Sequence, residues 1–179
     1  IPISRYDDYQ YINEEKFNLM RLGRIWVGDS FNSEKTVTFN TRTPIKPEDK
    51  IFYRTRVITF NAEGNTLGFN INGKNPVSYT AAKDYAFMLF ENSITGLSGN
   101  ALNLPYNPTI SNNPNGQFYW DYAEITYKQD LTFNNSQMNF RSYDIAENSN
   151  NLYRFSMSNT NGLEQIWDVS NFTKPVNKK

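Results

Sequence analysis

Cysteine and histidine are both missing from this sequence of 179 residues. Without them, the chain cannot build a Ser-His-Asp triad, a Cys-His dyad, a disulfide or a zinc site of the usual composition. It also lacks the general base that enzymes use most often near neutral pH. Because only carboxylate or metal-ion chemistry remains open, the sequence predicts that this chain is not an enzyme on its own.

An excess of positive charge is missing as well, since 18 Lys and Arg residues balance 18 Asp and Glu residues. Proteins that bind nucleic acids usually carry a basic face or stripe, which this composition does not indicate. The longest apolar stretches, such as residues 85–90, are far shorter than the roughly 20 residues of a membrane-spanning helix. We therefore expect no nucleic-acid partner and no membrane insertion by this segment.

The sequence is rich in aromatic residues, with 13 Phe, 12 Tyr and 3 Trp, which stand in segments where apolar and polar residues alternate. Alternation with a period of two is typical of β-strands, and the Asn-rich clusters between these segments indicate turns. Asn72-Gly73 is the strongest signal for a two-residue hairpin. Strands are predicted over residues 35–41, 51–60, 66–71, 76–80, 85–90, 118–127, 138–143, 152–158 and 164–169. A weak helical pattern covers residues 13–21.

Strands separated by turn signals about every 8–15 residues are typical of a sandwich or jelly roll. The predicted fold class is therefore all-β, an antiparallel β-sandwich that is jelly-roll-like. We expect a single domain over residues 1–170 and a linker over 171–179, which leads toward a downstream domain absent from this chain.

Alternation within residues 51–60 places Arg54 and Arg56 on one face of their strand. Residues 85–90 are apolar on both faces, which predicts a strand covered on each side.

Pairs of carboxylates are candidate glycosidase-type acids, because two suitably placed carboxylates are enough for that chemistry. Asp121 and Glu124 are three residues apart on a predicted strand, so their side chains are expected on opposite faces, where they cannot flank one bond. Two further pairs, Asp7-Asp8 and Glu14-Glu15, are expected outside the main sheet as solvated charge. The sequence therefore predicts no catalytic residue.

Oxygen ligands for calcium are available in the Asn-rich residues 112–115 and 148–151, which keeps a calcium site open as an alternative. However, neither segment has the closing glutamate of a calcium-binding loop, and amide side chains contribute no charge. Turn formation is the favoured interpretation of these asparagines. We therefore assign no metal ligand, no cofactor-binding residue and no cofactor.

Exposed aromatic rings on a β-sandwich can stack on sugars, and Trp26, Trp120 and Trp167 are the obvious candidates. The favoured interpretation of all three is a place in the core, because each lies in an alternating or apolar context. The tyrosines are less certain and could line an exposed patch. A carbohydrate-binding or adhesin-like module is therefore the alternative to the functional hypothesis developed next.

Three segments of the sequence resemble motifs of one known family. They are residues 23–31, GRIWVGDSF, which match a G-R-x-W-x-G-[ED]-x-F pattern, residues 120–125, WDYAEI, and residues 166–170, IWDVS, followed by Phe172 and Pro175. The first resembles an early motif, the second a strand, and the third the segment that leads into the peptidase domain of PorU-type proteins, the sortases of the type IX secretion system. The three motifs occur in the family's order and span most of the chain.

The resemblance implies the N-terminal β-rich region of such a sortase, ahead of a gingipain-type cysteine peptidase domain whose catalytic Cys and His lie downstream. No catalytic position is carried over to this chain. Full-length relatives remove the C-terminal sorting domain of secreted cargo and join the new terminus to a surface lipopolysaccharide, at the outer membrane of Bacteroidetes-type cells. We therefore expect an exported scaffold or docking element at the cell surface. Its expected partners are the downstream peptidase domain, outer-membrane secretion components and cargo.

Overall fold

A computed structural model describes residues 1–19, 25–82, 85–147 and 150–178 of the chain. The chain divides into two compact units. We call Asp8–Gln129 the sandwich unit, and Ile1–Asp7 together with Asp130–Lys179 the terminal unit. The domain and linker predicted over residues 1–170 and 171–179 stay a prediction.

Strands dominate the sandwich unit, as the alternating sequence predicts, whereas the terminal unit has only short strands. They are β1 (Pro2–Ile3), β2 (Arg5–Asn13), β3 (Ser30–Phe31), β4 (Lys35–Ile45), β5 (Ile51–Phe60), β6 (Thr66–Ile71), β7 (Lys74–Thr80), β8 (Tyr85–Ile94), β9 (Gly99–Thr109), β10 (Gln117–Asp130), β11 (Arg154–Phe155), β12 (Trp167–Asp168) and β13 (Val176–Asn177). A short helix, α1, spans Tyr143–Glu147. Within the described ranges, no helix is long and apolar enough to cross a membrane.

Two sheets form the sandwich unit. One has the order β2-β10-β5-β8, with β3 also paired to β10, and the other has the order β4-β9-β6-β7. The pairings of β5 with β8 and β10, and of β9 with β4 and β6, are antiparallel. From β4 to β10 the chain changes sheet at every connection except the β6–β7 hairpin, which is the connectivity of a jelly roll. The predicted all-β antiparallel sandwich is confirmed.

The core of the sandwich unit lies between the inward faces of these two sheets. Trp120 on β10 is completely buried, as predicted, together with Phe69, Phe90 and Tyr106. Rings from opposite sheets meet directly, with the centroids of Phe69 and Phe90 5.0 Å apart. The hydroxyl of Tyr106 is 2.7 Å from that of Thr55, so this buried polar group has a partner, and burial raises the pKa of the tyrosine. Apolar burial on this scale is the main source of stability in a domain of this size.

Asn65 holds together two turns at one end of the sandwich unit. Its buried Oδ1 accepts hydrogen bonds from the backbone N–H groups of Ser111, Asn112 and Asn113, at 3.1, 2.9 and 3.0 Å. Its Nδ2 donates to the carbonyl of Asn113 at 2.8 Å. Gly116 packs so closely that a Cβ there would lie 2.9 Å from the Cα of Ala62. This bonding agrees with the interpretation of the turn asparagines as structural.

The predicted hairpin at Asn72-Gly73 is confirmed. Both residues have positive φ, 48° and 77°, as the favoured two-residue hairpin turn requires. The backbone N–H of Gly73 donates to Oδ1 of Asn70 at 2.7 Å. The turn joins β6 to β7 and fixes the register of that edge of the second sheet.

The predictions for the first residues were wrong in two places. Asp7 and Asp8 lie in β2 rather than outside the main sheet, and Asp7 is buried. No helix forms over the described residues of 13–21, because β2 continues to Asn13 and Phe17 then forms a β-bridge with Val27. Residues 20–21 lie outside the described residues. Weak helical periodicity over a short stretch predicts a helix poorly, because a short helix is marginal on its own. Pairing with other strands can satisfy the backbone hydrogen-bonding groups of such a stretch instead.

In the terminal unit, three of the predicted strands are absent or shortened. The strand predicted over 138–143 was wrong, and α1 begins at Tyr143. The backbone N–H of Tyr143 donates a hydrogen bond to Oδ2 of Asp7 at 2.7 Å. That carboxylate satisfies one of the amides left unpaired at a helix N-terminus. The strands predicted over 152–158 and 164–169 are reduced to Arg154–Phe155 and Trp167–Asp168.

Candidate functional site

The most distinctive surface of the sandwich unit is the outer face of its first sheet, where side chains point away from the core. We call this surface the outer face. The register of β5 with β8 and β10 places Arg54 opposite Glu91 and Glu124, and Arg56 opposite Leu89 and Tyr122. The predicted shared face of the two arginines is confirmed. The described outer face comprises Tyr9, Tyr11, Phe52, Arg54, Arg56, Phe87, Leu89, Glu91, Asp121, Tyr122 and Glu124.

A polar row crosses the outer face from β8 to β2. Nε of Arg54 is 2.5 Å from Oε2 of Glu91, and its Nη1 is 3.6 Å from Oε1 of Glu124. On the far side, the hydroxyl of Tyr9 donates to Oε2 of Glu124 at 2.7 Å. The hydrogen bond to Glu91 raises the pKa of the Arg54 guanidinium. These contacts hold four side chains from four adjacent strands in one fixed line, which we call the polar row.

A second row, next to the first, consists of three aromatic rings and one guanidinium. Cζ of Arg56 lies 5.4 Å from the ring centroid of Phe87 and 5.2 Å from that of Tyr122, within the range of cation–π attraction. The ring of Tyr122 is in turn 5.7 Å from that of Tyr11. Tyr11 and Phe87, at the two ends, are 48% and 47% exposed. We call this line of four side chains the aromatic row.

A β-bulge brings Asp121 to the outer face beside Arg56. The register of β10 against β5 shifts between Trp120 and Tyr122, so one extra residue is accommodated there. As a result, Asp121 and Glu124 contact Arg56 and Arg54, which share a face of β5. The prediction that these carboxylates point to opposite faces was therefore wrong, because strict alternation fails at a bulge. Burial raises the pKa of Asp121, although the Arg56 guanidinium acts in the opposite direction.

The chemistry of this site favours binding over acid–base catalysis. Asp121 and Glu124 are both engaged with arginines, and Glu91 pairs with Arg54 as well. Within the described residues, no group of three or more acidic side chains could hold a metal ion.

A shallow depression of about 490 Å³ lies along the polar row. Its lining includes Arg54, Glu91 and Glu124, with Phe52 and Thr126 at the next position along their strands. Phe52 is 50% exposed and carries the ammonium of Lys50 at 4.8 Å from its ring centroid. The depression therefore combines fixed charges with an accessible ring.

The tryptophans singled out from the sequence do not assemble into one site. Trp120 is buried in the core, whereas Trp26 and Trp167 are 44% and 49% exposed, so the core prediction was wrong for those two. Trp167 lies in β12, where its Nε1 donates to Oε1 of Gln165 at 3.0 Å. The segment 23–31 is described only from Ile25 onward; Gly23 and Arg24 lie outside the described residues.

The aromatic residues of the outer face were missed because β8 was expected to be covered on both sides. Phe87 and Leu89 are instead 47% and 45% exposed, at the edge of the sheet. Arg54 and Arg56, spaced by two on the preceding strand of the sheet, were the available signal. A strand that carries two charges on one face indicates that this face of the sheet reaches water.

No protein-family model and no curated protein matches the sequence. Among solved structures, dimeric latent PorU from Porphyromonas gingivalis is similar, with a TM-score of 0.61 and 18% identity. Two weaker matches are the mosquito-larvicidal Cry4Aa toxin from Bacillus thuringiensis (TM-score 0.38, 13% identity, 55% of this chain and 18% of that chain) and the CBM36-1 domain of a xylanase from the hindgut metagenome of Trinervitermes trinervoides (0.37, 11%, 66% and 96%). With TM-scores below 0.5, the toxin and the CBM36-1 domain indicate nothing about the role of this chain.

The similarity to PorU covers 79% of this chain but only 14% of that chain. At 18% identity, what the match establishes is a common fold. The chain therefore has the β-rich fold of one part of PorU.

Proposed function

We propose that this chain is the non-catalytic β-sandwich region of a PorU-like sortase of the type IX secretion system. In this proposal it serves as a scaffold or docking element for a cysteine peptidase domain downstream in the same polypeptide. The observation that carries the proposal is the fold match to PorU, at a TM-score of 0.61 over 79% of this chain. Because the chain has no cysteine and no histidine, the peptidase chemistry would belong to another part of the polypeptide.

The WDYAEI segment supports the proposal through its place in the fold. It lies on β10, which has strands on both sides within its sheet. Trp120, Ala123 and Ile125 contribute to the core, while Tyr122 and Glu124 contribute to the outer face. The segment therefore contributes both to the core and to the outer face. A chain that has this motif has residues for both.

The proposed location follows from the same assignment. A sortase of this kind acts on secreted proteins, so the chain would be exported and held at the outer-membrane surface with its parent. Its partners there would be the downstream peptidase domain, components of the secretion machinery and the cargo. The balanced charge of the chain is compatible with a role as a protein scaffold.

Comparison of the complete polypeptide with defined variants tests this function. The complete protein is expected to remove the C-terminal sorting domain from a secreted cargo protein, whereas residues 1–179 alone are expected to leave it intact. Deletion of residues 8–129 from the complete protein should reduce processing strongly even though the catalytic cysteine is retained. A parent without a cysteine-bearing domain, or a deletion variant with unchanged processing, would refute the proposal.

A further inference from the structure

We propose that the outer face is a binding site for an uncharged oligosaccharide, which lies across the strands between the polar row and the aromatic row. This inference goes beyond the scaffold role and rests on the sandwich unit alone. A pyranose ring presents a rim of hydroxyl groups and apolar C–H faces. The outer face offers matching groups to both, in two parallel lines.

The aromatic row supplies surfaces for the C–H faces of the sugar rings. Tyr11 and Phe87 are about half exposed at its ends, and Arg56 holds the rings of Phe87 and Tyr122 in place between them. Aromatic rings bring a large apolar surface, and fixed rings lose little conformational freedom on binding. The row therefore presents preorganised platforms.

The polar row supplies hydrogen-bond donors and acceptors for the hydroxyl groups. A carboxylate has about four lone-pair sites and a guanidinium has five N–H donors, so the pairs formed by Arg54 with Glu91 and Glu124 leave capacity unused. Because hydroxyl groups both donate and accept, they can bridge neighbouring carboxylate and guanidinium groups. Hydrogen bonds to ionised groups are stronger than neutral ones.

The dimensions of the sheet match a short sugar chain. Four strands about 4.8 Å apart span about 14 Å, and sugar units repeat about every 5 Å, so each unit occupies roughly one strand. On β2, β5 and β10 the two rows are two residues apart, or about 6.6 Å, close to the width of one pyranose ring. On β8 they diverge, because Glu91 and Phe87 are four residues apart.

The charge pattern of the outer face favours an uncharged ligand. Arg54 and Arg56 are both paired with carboxylates, and Asp121, Glu91 and Glu124 all lie beside them. Neither the positive nor the negative side chains therefore form a separate charged patch that would attract an acidic or a basic partner over a distance. Arg56 also separates the ring of Phe87 from that of Tyr122, whereas a protein-docking patch usually has a contiguous apolar centre.

A glycan array tests the proposal. The 179-residue chain is applied to an array of immobilised bacterial, plant and animal oligosaccharides, and the strongest ligand is then titrated in solution by calorimetry. Neutral oligosaccharides of about three or more units are expected to bind. The affinity should change little between about 50 and 500 mM salt, because no net charge is neutralised. Absence of binding to every neutral glycan, or binding that salt abolishes, would overturn the proposal.

Variants locate the binding surface. Tyr11→Ala and Phe87→Ala are each expected to weaken binding about tenfold, the loss of one ring contact. Phe172→Ala is the matched control, since that ring is 87% exposed but lies in the terminal unit, and it should bind like the parent. The fluorescence of buried Trp120 reports folding for each variant. Unchanged affinity in Tyr11→Ala and Phe87→Ala, or an equal loss in Phe172→Ala, would overturn the assignment. Because the readout is sugar binding by residues 1–179, it is independent of cargo processing by the complete protein.

Discussion

Replacing Asn65 by alanine should destabilise the sandwich unit strongly. The Asn65 side chain makes four hydrogen bonds to the backbone of residues 111–113, three as acceptor and one as donor. A typical intramolecular hydrogen bond contributes about 0.5–1.5 kcal/mol net, so the four together contribute about 4 kcal/mol. Water that enters the truncated site would recover part of this, so we expect a loss of about 3–4 kcal/mol.

Urea unfolding followed by tryptophan fluorescence, which changes as buried Trp120 becomes exposed to solvent, measures this loss. With a slope of about 2 kcal/mol per molar urea, the midpoint of Asn65→Ala should fall by about 1.5–2 M. Asn65→Asp retains the acceptor for the three N–H groups but places an oxygen against the carbonyl of Asn113, so its stability should be intermediate. Asn112→Ala is the control, because that exposed side chain makes a single long hydrogen bond within the described residues, at 3.5 Å to the carbonyl of Glu63. If Asn65→Ala and Asn112→Ala unfold at the same midpoint, the four hydrogen bonds of Asn65 contribute no net stability, and this prediction is refuted.

Two further predictions concern the hairpin and the bulge. Gly73→Val should lower the free energy of unfolding by about 1–2 kcal/mol through backbone strain at φ 77°, since nothing lies within 4 Å of the new Cβ; an unchanged melting temperature would contradict this. The pKa of Asp121 is raised in the folded state, so the native chain binds this proton more tightly than the unfolded chain, and the contribution of Asp121 to stability falls as pH rises from 3.8 through the folded pKa. Urea titrations of Asp121→Asn across this window should therefore show stability rising more steeply with pH than in the parent, and a shallower rise would refute the assigned direction.

Local patterns in the sequence were sufficient to predict the class of fold. Alternation in residues 51–60 and 118–127 predicted strands that became β5 and β10, because burying one face of a strand requires apolar residues at every second position. Asn72-Gly73 predicted its turn because only a few residue types tolerate positive φ. Both signals depend on neighbours within a few residues, which a sequence displays directly.

The outer face was harder to predict, because its residues come from four separate strands. Residues 85–90 were predicted to be covered on both sides, but whether an apolar face is covered depends on the position of its strand in the sheet. Likewise, one extra residue at the bulge reversed the expected relation between Asp121 and Glu124. Pairing partners and register depend on contacts between distant parts of the chain.

Composition excluded thiol and imidazole chemistry from this chain, since an absent side chain cannot be supplied by any fold. Periodicity and turn residues added a sandwich of antiparallel strands, because backbone geometry limits which residues suit each position. The placement of Arg56 between Phe87 and Tyr122, and of Arg54 between Glu91 and Glu124, required the assembled sheet. Those contacts exist because hydrogen-bonded strands bring side chains from β5, β8 and β10 within a few ångströms, although the chain separates them by tens of residues.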